Sequence, residues 1–189
     1  LLYNIVDRIY IARIPSVGTT ALGAVGLCFP IIVIITAFSN LFGSGGAPLF
    51  SINRGKGNIK KAEAIMNTSF SMLCICGVAL MVIGMLFASS ILVLFGASEE
   101  GLSYAYPYMM IYLIGTVPSM IATGMNPFIN AQGYATSGML SVTIGAVANL
   151  ILDPLFIFAF HWGIKGAAWA TVLGQVVSGV MILIYFWKF

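Results

Sequence analysis

The run Ala148-Asn149-Leu150-Ile151-Leu152-Asp153-Pro154 sets an amide, an acid and a helix-distorting proline in the middle of an apolar stretch from Met139 to Phe160. Wound as an α-helix at about 1.5 Å per residue, that stretch is long enough to cross a hydrocarbon core of about 30 Å. Asp153 then lies well inside the hydrocarbon. Carboxylates are rare there, and they mark ion paths, proton relays or substrate sites.

Composition extends the membrane reading to the whole chain. Of its 189 residues 60% are hydrophobic and 7% charged, whereas soluble domains carry about 25% charged residues. The length accommodates about six spans joined by short loops. The first apolar stretch, ending at Ile14, would reach only about 21 Å as a helix, too short to cross. With Asp7 and Arg8 inside it, this stretch does not have the form of a signal peptide. It reads as the second half of a helix whose start is missing, and the apolar run ending at Phe189 gives the C-terminal end the same cut appearance. Cys28, Cys74 and Cys76 lie in apolar stretches and read as small packing residues. No nucleic-acid footprint is visible.

Punctuation divides the rest. Pro15 to Thr20 reads as a turn, and a second span follows over about 21–51, interrupted by Pro30 and the tract Gly43-Ser44-Gly45-Gly46. That tract is either a flexible break or, the better reading for small membrane residues, a point of close helix approach. The loop over 53–61 holds Arg54, Lys56, Lys60 and Lys61, four of the eight basic residues, so it is expected on the cytoplasmic side of a cell membrane. Its Gly-Lys-Gly lacks the spacing of a phosphate-binding loop. A third span over about 70–95 leads to a turn with Glu99 and Glu100 on the outer side. The fourth, over about 103–129, contains Pro107, Pro118 and Pro127 and is expected to be bent. The fifth is 139–160. His161-Trp162-Gly163-Ile164-Lys165 separates it from the sixth, over about 166–187; His161 reads as an interfacial loop residue beside the surface anchor Trp162. Alternate crossings place Lys188 inside and Lys165 outside, where it departs from the positive-inside pattern.

Asn149 and Asp153 are four residues apart and share one helix face. Pro154 has no N–H to give the Leu150 carbonyl, which is then free to turn toward a cation or water. Carboxylate, amide and carbonyl oxygens suit a hard cation such as sodium, while a carboxylate in a low dielectric is also easily protonated. On the sixth span Gly166, Ala170, Gly174 and Ser178 form a small-residue stripe suited to close contact. If that stripe packs on the fifth span, Thr171 and Gln175 beside it can complete the pocket, although a membrane threonine more commonly bonds its own backbone.

Three segments together resemble the multidrug and toxic compound extrusion (MATE) family. They are Tyr3-Asn4-Ile5-Val6-Asp7-Arg8-Ile9-Tyr10-Ile11, Leu22-Gly23-Ala24-Val25-Gly26-Leu27 before Phe29-Pro30, and Asn149 to Phe158 followed by Gly166-Ala167-Ala168-Trp169-Ala170-Thr171. The resemblance implies an all-α polytopic membrane protein, a six-helix bundle with its first helix truncated, forming half of a twelve-helix, two-lobe transporter. Residues 1–189 would be the N-terminal lobe, and the C-terminal lobe would be its missing partner. It further implies no enzymatic activity and no cofactor. The implied activity is a cation-coupled antiporter, using Na+ or H+ to export organic cations or other drugs by alternating access. The coupling-ion site would fall on Asp7, Asn149, Asp153 and Thr171, with Gln175 as a possible additional polar contact. Ala12-Arg13 departs from the glycine and small residue or histidine common in relatives.

Two other readings compete. A lipid-linked sugar flippase of the same superfamily would need fixed basic residues in its cavity for pyrophosphate, and Arg8 is the main candidate. An intramembrane aspartyl protease could use two membrane aspartates around a shared proton. Against it, Asp153 follows Leu150-Ile151-Leu152 rather than a Gly-rich segment.

Overall fold

The computed structural model of the chain describes residues 8–14 and 18–188. Among these residues the regular structure is entirely helical. The described part of α1 covers 8–12. It is followed by α2 (Gly18–Gly55), α3 (Ile59–Leu94), α4 (Glu99–Ile114), α5 (Thr116–Ala131), α6 (Ala135–Pro154) and α7 (Ile164–Lys188), with a π-helical turn at Leu155–Ala159 closing α6. In lipid every backbone N–H and C=O must find a partner within the protein, and a helix supplies one without a neighbour.

Four of these helices, α2, α3, α6 with its π-turn and α7, are long and apolar enough to cross a membrane, and α4 and α5 taken together are so too, with a bend of 54° between them. The bundle also has an apolar exterior: Ile75, Leu86 and Leu94 on α3 are 63%, 74% and 81% exposed. Such a face is stable against acyl chains, and the chain is a multi-pass membrane protein.

Several expected boundaries move. Helix α2 starts at Gly18, inside the turn expected over 15–20, and α3 starts at Ile59 rather than near residue 70. Polar residues in these regions cap or extend helices. Asn58 Oδ1 accepts from the Lys61 N–H at 3.2 Å and starts α3, with a turn through Gly57 (φ 76°) just before it. Ser98 caps α4 through the Gly101 N–H, and Glu99 and Glu100 lie in its first turn, where the helix dipole favours negative charge. The fourth span bends at Gly115, between α4 and α5, whereas Pro107 and Pro127 lie inside intact helices.

The Gly43-Ser44-Gly45-Gly46 tract does not break α2. A methyl group on Gly43 would collide with the Gly124 carbonyl of α5, and one on Gly46 would lie 2.5 Å from Ser69 Oγ of α3. The tract is therefore a close-packing point. Helix α5 sits centrally, with Met120, Phe128 and Ile129 fully buried, and it packs on α2, α3, α6 and α7.

Candidate functional site

The site is built where α6 and α7 press together. A Cβ on Gly174 would stand 2.8 Å from the Gly145 carbonyl oxygen and 3.0 Å from Asn149 Cβ. Further along, Ser178 Oγ donates to the Ser141 carbonyl at 3.1 Å. At the other end, a Cβ on Gly166 would lie 2.7 Å from the Phe156 carbonyl carbon. The expected stripe of Gly166, Ala170, Gly174 and Ser178 is thus the surface on which α6 rests, and all four residues are buried.

These contacts set the register of two antiparallel helices. Asn149 lies against Gly174 and Phe156 against Gly166, so Asp153 falls opposite the turn that carries Ala167, Ala170 and Thr171. Asp153 is completely buried and Asn149 is 3% exposed. The Asn149 Nδ2 amide donates to Asp153 Oδ1 at 3.3 Å. Their spacing of four residues therefore yields a buried amide–carboxylate pair.

Backbone geometry adds to the pair. Pro154 removes the donor for the Leu150 carbonyl, and the next N–H, that of Leu155, reaches back to the Leu152 carbonyl. The helix then widens into the π-turn, a feature frequent at functional sites. Thr171 is buried and donates its hydroxyl to the Ala167 carbonyl at 3.0 Å, the self-bonded arrangement common to helix threonines. Its oxygen lone pairs remain available to accept. Among the described residues, the Asn149 Oδ1 oxygen has no hydrogen-bond partner.

Asp7 lies outside the described residues, so its position relative to this pair is not part of the geometry. Gln175 turns elsewhere. Its Nε2 donates to the Tyr112 hydroxyl at 3.2 Å, and its Oε1 lies 2.6 Å from where a Gly115 Cβ would stand, so its contacts are on α4 at the bend. Arg8, on α1, is exposed, with its guanidinium 5.7 Å from the centre of the Phe29 ring.

Chemically, the pocket offers one carboxylate, an amide oxygen and hydroxyl lone pairs. Among the described residues no three His, Cys, Asp or Glu side chains converge as a metal cluster. A single buried carboxylate beside an amide suits a hard monovalent cation, and the same carboxylate can take a proton.

One residue that sequence reading passed over is Thr116. It is fully buried at the α4–α5 bend, and its Oγ1 has no hydrogen-bond partner among the described residues. Thr36, Ser39, Thr68, Ser141, Thr143 and Thr171 all donate to the carbonyl four residues back. At Thr116 that carbonyl belongs to Tyr112 and is taken by the Gly115 N–H. Bend geometry, invisible in composition, leaves this hydroxyl out.

The comparisons agree with this architecture. The multidrug export protein MepA of Staphylococcus haemolyticus (strain JCSC1435) is 28% identical over 186 residues, covering 98% of this chain and 41% of that protein. An FAD transporter of Shewanella oneidensis (strain MR-1) is 28% identical over 190 residues, covering 96% and 41%. The chain thus spans about two-fifths of the length of the curated relatives it matches. Among solved structures, the inward-facing conformation of a multidrug resistance MATE family transporter of the MOP superfamily matches with a TM-score of 0.91 and 29% identity, over 100% of this chain and 42% of that one. An outward-facing conformation described in the same terms matches with a TM-score of 0.90 and 28% identity, over 98% and 40%. The MatE family model matches residues 1–155, and on that match over most of its length the chain belongs to the MatE family.

Proposed function

We propose that residues 1–189 form the N-terminal lobe of a two-lobe exporter in a cell membrane, that a C-terminal lobe completes the transport cavity, and that the 53–61 loop faces the cytoplasm. The exporter moves organic cations or other drugs outward in exchange for Na+ or H+. The observation that carries this reading is the fully buried Asp153, bonded to Asn149 and held opposite the Thr171 turn of α7. Asp7, Asn149, Asp153 and Thr171 supply the ion's ligands, or the group that takes the proton. The ion is a transported substrate here and not a resident cofactor.

Binding acts by neutralising buried charge. A carboxylate away from water is stabilised by a cation or by protonation, and the access state that holds that ion more tightly becomes the more populated one. Drug affinity of the cavity then follows ion occupancy. The likeness to an FAD transporter extends the candidate cargo to organic anions. The flippase reading gains little from Arg8, which is exposed and lies over Phe29.

The test is drug efflux from vesicles carrying the complete transporter, with sodium and proton gradients imposed separately. Asp153→Asn keeps the size of the side chain and removes its charge, so it is expected to insert normally and to lose gradient-driven efflux. Efflux by this variant at the parent rate, under either gradient, would defeat the assignment.

A further inference from the structure

Helix α5 differs from the other membrane-crossing segments in what it turns outward. The others expose large apolar residues, among them Leu41 on α2, Ile75 on α3, Ile151 on α6 and Leu183 on α7, whereas no large apolar residue of α5 is exposed. Its apolar side, with Met120, Ile121, Met125, Phe128 and Ile129, is buried in the bundle. Its exposed residues are Thr123 and Asn130, with Ser119 and Asn126 half-buried beside them. Spacings of four, three and four put these polar residues on one side of the helix. Such a side is suited to water and not to acyl chains.

Helix α2 carries a second polar row. Thr36, Asn40 and Ser44 are exposed, recur every fourth residue and fall in the middle of the span. Asn40 stands 14 residues before Arg54, about 21 Å along the helix, and so lies deep within a hydrocarbon core of about 30 Å. The Thr36 hydroxyl donates to the Ile32 carbonyl at 2.8 Å, but Asn40 has no hydrogen bond to any described residue. An amide left unbonded at that depth is costly against lipid. The two helices meet at Gly43 and Gly124, where a Cβ on Gly43 would collide with the Gly124 backbone. Asn40 is three residues before Gly43 and Thr123 is next to Gly124, so the exposed polar residues of both helices flank one contact at one depth.

We propose that these sides of α2 and α5 form a water-exposed wall of the transport cavity, and that the Asn40 amide contacts the cargo there. The assignment rests on the two-lobe exporter reading, in which a second lobe closes the cavity over this side. Toward the end of the bundle that carries the 53–61 loop, the α5 side runs into a cavity of about 380 Å³ lined by Asn126, Asn130, Ala135, Thr136 and Met139. There Asn126 Nδ2 donates to the Gly138 carbonyl at 2.8 Å and Asn130 Nδ2 to Asn126 Oδ1 at 3.2 Å. Those two amides bond within the lobe; the Asn40 amide does not.

The wall reads hydrogen bonding and not charge. Helix α5 has no charged residue, and the charged residue of α2 is Arg54, in its last turn. Arg8, over the Phe29 ring, stands about three turns of α2 away from Asn40. An amide presents both a donor and an acceptor. It matches cargo that sets a carbonyl, a hydroxyl or an N–H on an aromatic or apolar body. Phe29 and Val33, exposed on the same side of α2, supply the apolar contact.

The test uses the complete transporter in membrane vesicles, with Cys28, Cys74, Cys76 and any cysteine of the second lobe replaced by alanine. Thiol reagents attack the thiolate, which forms in water and not among acyl chains. Asn40→Cys is expected to react with a charged, membrane-impermeant methanethiosulfonate about tenfold faster than Leu41→Cys, whose position is exposed beside it. Ser44→Cys repeats the measurement on the same side should Asn40→Cys fold poorly. The cargo contact is read with ethidium, an aromatic cation bearing N–H donors. Excess ethidium is expected to slow the labelling of Asn40→Cys, and Asn40→Ala to raise the KM for ethidium efflux about tenfold with kcat retained. Labelling of Asn40→Cys and Ser44→Cys no faster than that of Leu41→Cys overturns the water-exposed wall. Labelling that ethidium does not slow, with an unchanged KM in Asn40→Ala, overturns the cargo contact. A parent without gradient-driven efflux would sink the exporter reading instead, and the labelling contrast, which needs no transport, still decides whether this side meets water.

Discussion

Gly174→Ala tests the α6–α7 interface with a single carbon. The new Cβ would lie 2.8 Å from the Gly145 carbonyl oxygen and 3.0 Å from Asn149 Cβ. Both neighbours belong to a packed helix backbone or its first side-chain carbon, so neither can rotate away. Relief requires α6 and α7 to part by roughly half an ångström, and overpacking of this kind costs about 1–3 kcal/mol. Against that, replacing glycine by alanine inside a helix returns about 1 kcal/mol. The net destabilisation is then about 0–2 kcal/mol. The functional effect is larger than this figure suggests, because the residue pushed is Asn149, which donates to Asp153. The assay is a thermal melt of the complete transporter beside its efflux rate, with Gly23→Ala as control. At Gly23 a Cβ meets nothing within 4 Å, so only the helix-propensity gain remains. The expected pattern is a lower melting temperature and impaired efflux for Gly174→Ala, and neither loss for Gly23→Ala. Parent-like melting and efflux in Gly174→Ala would refute the register of α6 on α7 and the link between that register and the ion pocket.

Two further substitutions probe single features. His161→Gly removes a left-handed non-glycine residue and is expected to stabilise the protein by about 1 kcal/mol, read as a higher melting temperature; a clear drop would show that the ring contributes more than the backbone costs. Thr116→Val replaces a buried hydroxyl that has no hydrogen-bond partner among the described residues with a methyl group of similar size. It is expected to leave stability unchanged or to raise it by about 1 kcal/mol, and a loss above about 1 kcal/mol in a melt or denaturant titration would show that the hydroxyl has a partner in the working transporter.

The chemistry of the pair at Asn149 and Asp153 was legible because two strong local rules coincide there. A carboxylate inside a 20-residue apolar run is costly wherever the run packs, and a spacing of four puts two side chains on one helix face. The small-residue stripe on α7 was legible for the same reason, since its period matches the helix. What sequence did not decide was which neighbour each face meets. Gln175 is one turn beyond Thr171, and spacing alone admitted it to the pocket. Its Nε2 donates to the Tyr112 hydroxyl on α4, while its Oε1 is buried with no hydrogen-bond partner among the described residues. The bend of the fourth span was expected from its prolines, and it falls at Gly115, three residues before Pro118, which has no N–H to give the Ile114 carbonyl. Proline inside a membrane helix is accommodated by neighbours, and here α4 and α5 continue through Pro107 and Pro127. Loop boundaries were the least legible, because a polar stretch such as Lys56-Gly57-Asn58 before Lys60 and Lys61 looks alike whether it forms a loop or leads into the first turn of a helix.

The locked α6–α7 interface also restricts how an ion at Asp153 can act. Under the proposed function, ion binding must favour one access state over another, and it can bias only elements that differ between states. Gly145, Gly174, Asn149, Ser178 and Ser141 hold α6 and α7 at backbone contact distance, and an interface without slack moves as one body. The elements beside it are less constrained. Helix α4 ends at Gly115 with a bend of 54°, and Gln175, one turn beyond Thr171 on α7, reaches that bend through Tyr112 and its approach to Gly115. Val172 lies beside Gly115 as well, and α7 packs directly on both α4 and α5, so a displacement of α7 at Thr171 reaches the joint in the fourth span through several contacts. The Gln175 Nε2 is used by Tyr112, while its Oε1 is buried without a hydrogen-bond partner among the described residues. Under the proposed function, Gln175 would then join the Asn149–Asp153 pair to the part of the bundle whose backbone is interrupted at Gly115.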